Sequence, residues 1–140
     1  MEPALSEGQR LLIRRMNAGE CFVRGDIVVA HVPYLFNMDY IKRIIGLPGE
    51  HVKIRGGRGF ISDRILREPY LDRAKCSGAA LISQWFLADD EYLVLGDRRG
   101  DSMDSRRFGP LSRENILGKA WFCYWPPSSW GWVPRGHPSL

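Results

Sequence analysis

Proline and glycine punctuation is the strongest constraint on what this chain can fold into. Fifteen glycines and nine prolines fall among 140 residues, and they cut the apolar runs into pieces too short for long helices. The expected fold is mostly β, an antiparallel β-sheet core of short strands. Residues 9–14 carry Leu11, Leu12 and Ile13 between polar ends, and residues 26–31 form a β-branched run after Gly25. Pro33 closes that second run, since proline cannot continue a ladder. Residues 40–46 read as the next strand, ending in the Leu47-Pro48-Gly49 turn. Residues 51–55 alternate, Gly56-Gly57 is a hairpin signal, and residues 59–62 answer as the return strand. Order then decays: residues 68–84 read as loop or a small appended lobe, an insertion bounded at about 64–90. Residues 92–96 read as a buried strand, and residues 115–124 as a closing strand with Gly118 at a bulge.

Length and composition fit one domain with its own core: hydrophobic residues make up 44% and charged residues 26%. The net charge of +4 is scattered, which permits contact with nucleic acid or anionic lipid and argues for neither. Cys21, Cys76 and Cys123 contain no CxxC pair, so neither a zinc site nor a full disulfide framework is indicated. The isolated His31, His51 and His137 suggest no metal motif, and no metal or cofactor is expected. No apolar run approaches the roughly 18 residues of a membrane span, and no signal-peptide pattern opens the chain.

Lys42 is the residue out of place. It sits in an apolar strand with Tyr40 and Ile44 as same-face neighbours. A lysine held there either snorkels to water or loses its charge, because burial penalises the ammonium form. The neutral amine is a general base; an outward-pointing lysine on an edge strand is the plainer alternative. The run from Asp97 to Pro110 is a dense polar cluster delivered by a buried strand. Its plainer reading is a solvated turn with a local ion pair between Asp104 and Arg106.

Three boxes stand in order: Gly25-Asp26-Ile27-Val28-Val29, Lys42 through Gly49, and Gly96-Asp97 followed by Ser102-Met103-Asp104-Ser105-Arg106. Together they resemble the type I signal peptidases, serine/lysine endopeptidases that remove signal peptides from exported proteins. The resemblance runs from Met1-Glu2-Pro3 to Tyr124-Trp125-Pro126. It implies a Ser-Lys dyad in which Lys42 is the base, Ser102 orients it, and Asp104, Arg106 and Asp97 brace the surrounding loop. Pro3, Ala4, Leu5 and Ile41 are the implied substrate contacts, the substrate being an extended peptide added along a strand edge. The family's nucleophile lies in a Ser-Met-x-Pro motif, of which this chain begins at the Met, so the resemblance implies a serine before Met1 and, before that, a membrane anchor. As written, the chain is expected not to cleave. A misplaced start, a pseudoenzyme that only binds peptides or partners, and recruitment of Ser6 are the competing explanations.

A second departure is Arg98, where the family has asparagine. Its charge either favours a neutral Lys42 or blocks a polar contact. The resemblance implies signal peptides of exported preproteins as partners, and the cytoplasmic membrane with the domain on its extracytoplasmic side, or else the mitochondrial inner membrane. Trp130 and Trp132 are candidates for lipid contact, whereas Trp121 and Tyr124 are expected in the core. No helix-turn-helix or basic-aromatic strand supports nucleic-acid binding.

Overall fold

A computed structural model describes residues 1–17, 19–32, 38–71 and 82–140. Its described strands are β1 (Arg10–Arg14), β2 (Ile27–Val32), β3 (Met38–Gly46), β4 (His51–Arg55), β5 (Arg58–Ile61), β6 (Arg64–Ile65), β7 (Ile82–Phe86), β8 (Glu91–Leu95), β9 (Leu111–Ser112), β10 (Ile116–Trp125) and β11 (Gly131–Trp132). One helical turn, α1 (Ser105–Phe108), follows β8. Seven strands form the main sheet in the order β1-β10-β2-β3-β8-β9, with β11 added to β10, and β6-β5-β4-β7 form a second sheet of four. Neighbours pair antiparallel throughout.

β3 and β8 sit where the two sheets meet, and their alternation feeds two cores. Ile44, Tyr92 and Val94 pack with Phe22, Val28 and Ala30 on one face. Ile45, Leu93 and Leu95 pack with Val52, Ile54 and Ile61 of the second sheet on the other. A strand buried on both faces loses its polar alternation, which is why residues 92–96 read as a continuous apolar run. A third cluster joins Leu5 to Ile27, Ala120 and Val133, fastening the opening residues to the main sheet.

The Gly56-Gly57 hairpin forms with both residues at positive φ, 55° and 74°, a conformation that only glycine adopts without strain. Gly118 lies at the register shift between β10 and β2, as a bulge should. Two expectations change. Residues 82–84 of the segment read as loop or a small appended lobe belong to a strand, β7, which among the described residues pairs with β4 and exposes three of its five side chains. Trp121 and Tyr124 are exposed, at 38% and 40%, rather than in the core. Cys76 lies outside the described residues.

Candidate active site

Lys42 and Ser102 are 60 residues apart in sequence and meet across the end of the β3–β8 ladder. The ladder pairs Arg43 with Leu95, so the next step brings Lys42 opposite the Gly96 turn that leaves β8. The Lys42 Nζ donates to Ser102 Oγ at 3.1 Å. Gly96 is required by this approach, since a Cβ there would lie 2.1 Å from Ser102 Oγ. Lys42 is half-buried, with its ammonium 5.6 Å from the Tyr40 ring centroid, so the same-face neighbour expected from the strand period is in place.

Asp104 anchors the Ser102 loop. Its side chain is fully buried; it accepts from the Gly96 N–H at 3.0 Å and from Arg106 Nε and Nη2 at 2.9 Å each. Asp104 also accepts from the Arg106 N–H at 3.2 Å and so caps α1. Ser105 Oγ accepts from the Val94 N–H at 2.9 Å, pinning the turn to β8. A solvated turn is therefore the wrong picture of this segment: Asp97, Arg99, Asp104 and Ser105 are all buried.

Asp97 is bound to a partner that the sequence reading missed. Arg43 donates to both Asp97 oxygens, at 2.8 and 2.7 Å, with both side chains essentially inaccessible. Arg43 also donates to the Gly25 carbonyl at 2.9 Å and stacks 4.1 Å from the Tyr70 ring centroid. Because alternate residues of a strand face opposite ways, Lys42 and Arg43 are held on opposite faces of β3. Arg99 is likewise buried against Glu68 and donates to the Gly57 carbonyl at 2.7 Å, tying the loop to the second sheet. Two adjacent cations inside an apolar run could have flagged Arg43; nothing in the sequence connects Glu68 to Arg99.

The electrostatics follow from this packing. Burial lowers the Lys42 pKa, the Arg106 charge lowers it further, and Asp104 and Asp97 pull the other way. The cation that acts on Lys42 is thus Arg106, while Arg98 presents an exposed side chain 3.9 Å from Glu2. Burial alone would raise the Asp104 pKa, yet the bonds from Arg106 and the Gly96 N–H, the Arg106 charge and a bond from the Ser102 hydroxyl hold it below the ordinary carboxylate value.

A surface cavity of about 470 Å³ opens onto the amine, lined by Met1, Leu5, Tyr40, Ile41, Lys42, Arg98 and Ser102 among others. The Met1 α-amino group has its pKa lowered, first by burial and then by the Lys42 charge. Of the four residues expected to touch substrate, Leu5 and Ile41 line this cavity. Ala4 packs against the third core cluster, and Pro3 is exposed. Ser6 also lines the cavity. Among the described residues, no three His, Cys, Asp or Glu side chains gather to hold a metal ion.

Comparison with known proteins agrees with the resemblance drawn from the boxes. The sequence model of a family described as signal peptidase, peptidase S26, matches residues 1–125. A probable signal peptidase I-2 of Synechocystis sp. is 37% identical over 144 aligned residues, covering 96% of this chain and 61% of that protein. A signal peptidase I of Bacillus amyloliquefaciens is 36% identical over 135, covering 90% of this chain and 71% of the relative. A crystal structure of a signal peptidase I from Enterococcus faecalis V583 superposes with a TM-score of 0.61 at 30% identity, over 71% of this chain and 97% of that one. The chain therefore spans about three-fifths of the length of the Synechocystis relative, 61%.

Proposed function

The chain belongs to the signal peptidase family, peptidase S26, and on that premise we propose that it is the catalytic domain of a serine-type endopeptidase that removes N-terminal signal peptides from exported preproteins. The observation that carries this reading is the half-buried Lys42 amine, hydrogen-bonded to Ser102 within a cavity that Met1 also lines. Burial favours the neutral amine, and a neutral amine is a general base. Lys42 Nζ donates to Ser102 Oγ at 3.1 Å, which spends one N–H of the neutral amine and leaves its nitrogen lone pair for another proton. A serine joined to Met1 enters the same cavity and supplies that proton with its hydroxyl. It then attacks the scissile carbonyl, and Lys42 returns the proton to the leaving amine.

The open edge of β3 supports an extended substrate. β2 pairs with β3 from Met38 to Arg43, whereas β8 pairs only from Arg43 onward. Among the described residues this leaves the Met38–Lys42 backbone without a strand on its second side, beside the cavity. A peptide adds there as a strand, with Ile41 and Leu5 against its side chains. The setting belongs to the same reading: the outer side of the cytoplasmic membrane, with Trp130 and Trp132, 66% and 72% exposed, resting on lipid. Among the described residues no helix is long and apolar enough to cross a membrane.

The test is cleavage of a signal-peptide substrate by the chain with a serine added before Met1. Activity is expected with the serine, and Lys42→Ala and Lys42→Arg are expected to remove it. Cleavage that survives Lys42→Ala would overturn Lys42 as the base, and cleavage that does not need the added serine would overturn the nucleophile assignment.

A further inference from the structure

Across β2 from Lys42, a second cavity, of about 520 Å³, lies between β10, β11 and the chain that follows β11. Its lining includes three cations, Arg14, Lys119 and Arg135, two indoles, Trp121 and Trp132, and no carboxylate. We infer that this cavity binds the phosphoryl headgroup of an anionic phospholipid. The inference deepens the lipid contact proposed above for Trp130 and Trp132, and rests on it.

The charges around the cavity are incompletely matched. Lys119 is 8% exposed and hydrogen-bonded to buried Asp26. Arg135 Nε lies 3.7 Å from the same Asp26 oxygen, so one carboxylate serves two cations. Arg14 has its own partner, Glu20 at 3.1 Å, but that pair is exposed and correspondingly weak. One positive charge is in excess over these two carboxylates, and Arg135, 60% exposed, is the cation free to turn to a new anion. A phosphodiester is the matching chemistry: it is monovalent, and its oxygens accept from guanidinium N–H groups in pairs.

The surroundings favour a lipid over a free anion. Trp121 and Trp132 lie 5.3 Å apart, centroid to centroid, and form one wall. Pairing extends the exposed apolar surface outward from them, since Phe122 faces both Trp132 on β11 and Leu12 on β1. Leu12, Trp130 and Trp132 expose 42%, 66% and 72% of their surface. A cationic recess rimmed by exposed indoles and an aliphatic side chain matches a membrane interface, where indoles sit at headgroup depth and basic groups meet anionic lipid. A soluble phosphate would use only the recess and leave the rim in water.

Vesicle co-sedimentation of the full chain tests this at about 0.1 M salt. The probes are phosphatidylcholine vesicles and vesicles doped with phosphatidylglycerol. Binding to the anionic vesicles is expected to be about tenfold tighter or more. Arg14→Ala with Arg135→Ala should bring that ratio close to one and leave phosphatidylcholine binding unchanged. Arg55→Ala with Arg58→Ala makes the same charge change on the exposed second sheet and should leave the ratio intact. Equal binding to both vesicles, or a ratio lowered equally by the two double variants, overturns the headgroup site while the tryptophan contact stands. No binding to either vesicle overturns both. Arginine-dependent binding of inorganic phosphate without any effect on vesicles identifies a free-anion site and overturns the lipid assignment. Lys42→Ala should bind like the parent, so a failure here is independent of the catalytic reading.

Discussion

Truncating Asp97 should unfold much of what makes the site rigid, and the cost can be worked from its contacts. Asp97→Ala removes both carboxylate bonds to Arg43 and leaves the guanidinium buried, with the Gly25 carbonyl and the Tyr70 ring as its remaining neighbours. An uncompensated buried charge of this kind costs about 3–5 kcal/mol, a large part of the roughly 5–15 kcal/mol that holds an ordinary domain together. Asp97→Asn keeps one acceptor oxygen and should lose about 2 kcal/mol, so the test survives if the alanine variant does not fold. Replacing the pair with Arg43→Met and Asp97→Leu removes both charges at once. That variant orphans the Gly25 carbonyl, at about 1–3 kcal/mol, and strands no charge. Urea unfolding followed by tryptophan fluorescence and far-UV circular dichroism should therefore find the double variant more stable than Asp97→Ala. The coupling energy between the two positions should exceed about 3 kcal/mol, within the range measured for close charge pairs. A cost below about 1 kcal/mol for Asp97→Ala, or effects that simply add, would refute the assigned role of the pair.

Gly96→Ala puts a methyl 2.1 Å from Ser102 Oγ and 2.7 Å from Ser102 Cβ, so the serine must leave its position. Stability should fall by about 1–3 kcal/mol, and cleavage by the serine-bearing form by about a hundredfold. The lowered Lys42 pKa, which comes from burial and nearby charges, should persist in the pH–rate profile; full activity would show that Ser102 does not orient the amine. Lys42→Met tests the burial itself. The folded-state pKa of Lys42 lies below the ordinary lysine value of 10.5, so the unfolded chain binds the extra proton and folding is penalised below that folded pKa. The penalty fades as pH rises toward 10.5. The methionine variant should be more stable than the parent at neutral pH, and the two should converge in alkaline urea titrations. A stability difference that does not change with pH would contradict a lowered pKa.

What could be read from sequence depended on whether a residue's neighbours are local. Gly56-Gly57 is punctuation whose meaning lies within four residues, and the hairpin formed where it was expected. Lys42 declared itself by conflict with its own strand, and the Asp104–Arg106 pair lies two residues apart on a single turn. Sequence does not single out Arg43, Arg99 or Glu68, and it places Asp97 at the site without its partner, because the paired residues are 54 and 31 positions apart and only the fold brings them together. Trp121 and Tyr124, expected in the core, failed in the opposite direction. An aromatic in a strand looks like core material, yet Trp121 keeps 38% of its surface exposed. Such exposure depends on the layering of sheets, which no local pattern encodes.

Strand register explains why one short segment can carry both the base and its main brace. In β3 the pleat sends Lys42 toward the cavity and Arg43 into the buried cluster with Asp97, Gly25 and Tyr70. The two partners leave β8 by the same route, Asp97 directly after Gly96 and Ser102 on the loop that follows. A slip of one residue would exchange the roles, putting an arginine that cannot deprotonate in the cavity and a lysine unable to form the two-toothed carboxylate pair in the core. The register shift between Ile44 and Gly46 lies beyond this segment, so the pairing of Arg43 with Leu95 is undisturbed. The buried Arg43–Asp97 pair thereby disfavours the slipped register, because any slip strands a charge without its partner. The apolar residues of β3 would tolerate that change of face far better than Arg43 would, since both faces of the strand here are buried. On this view the ion pair sets the register, and the register positions Lys42.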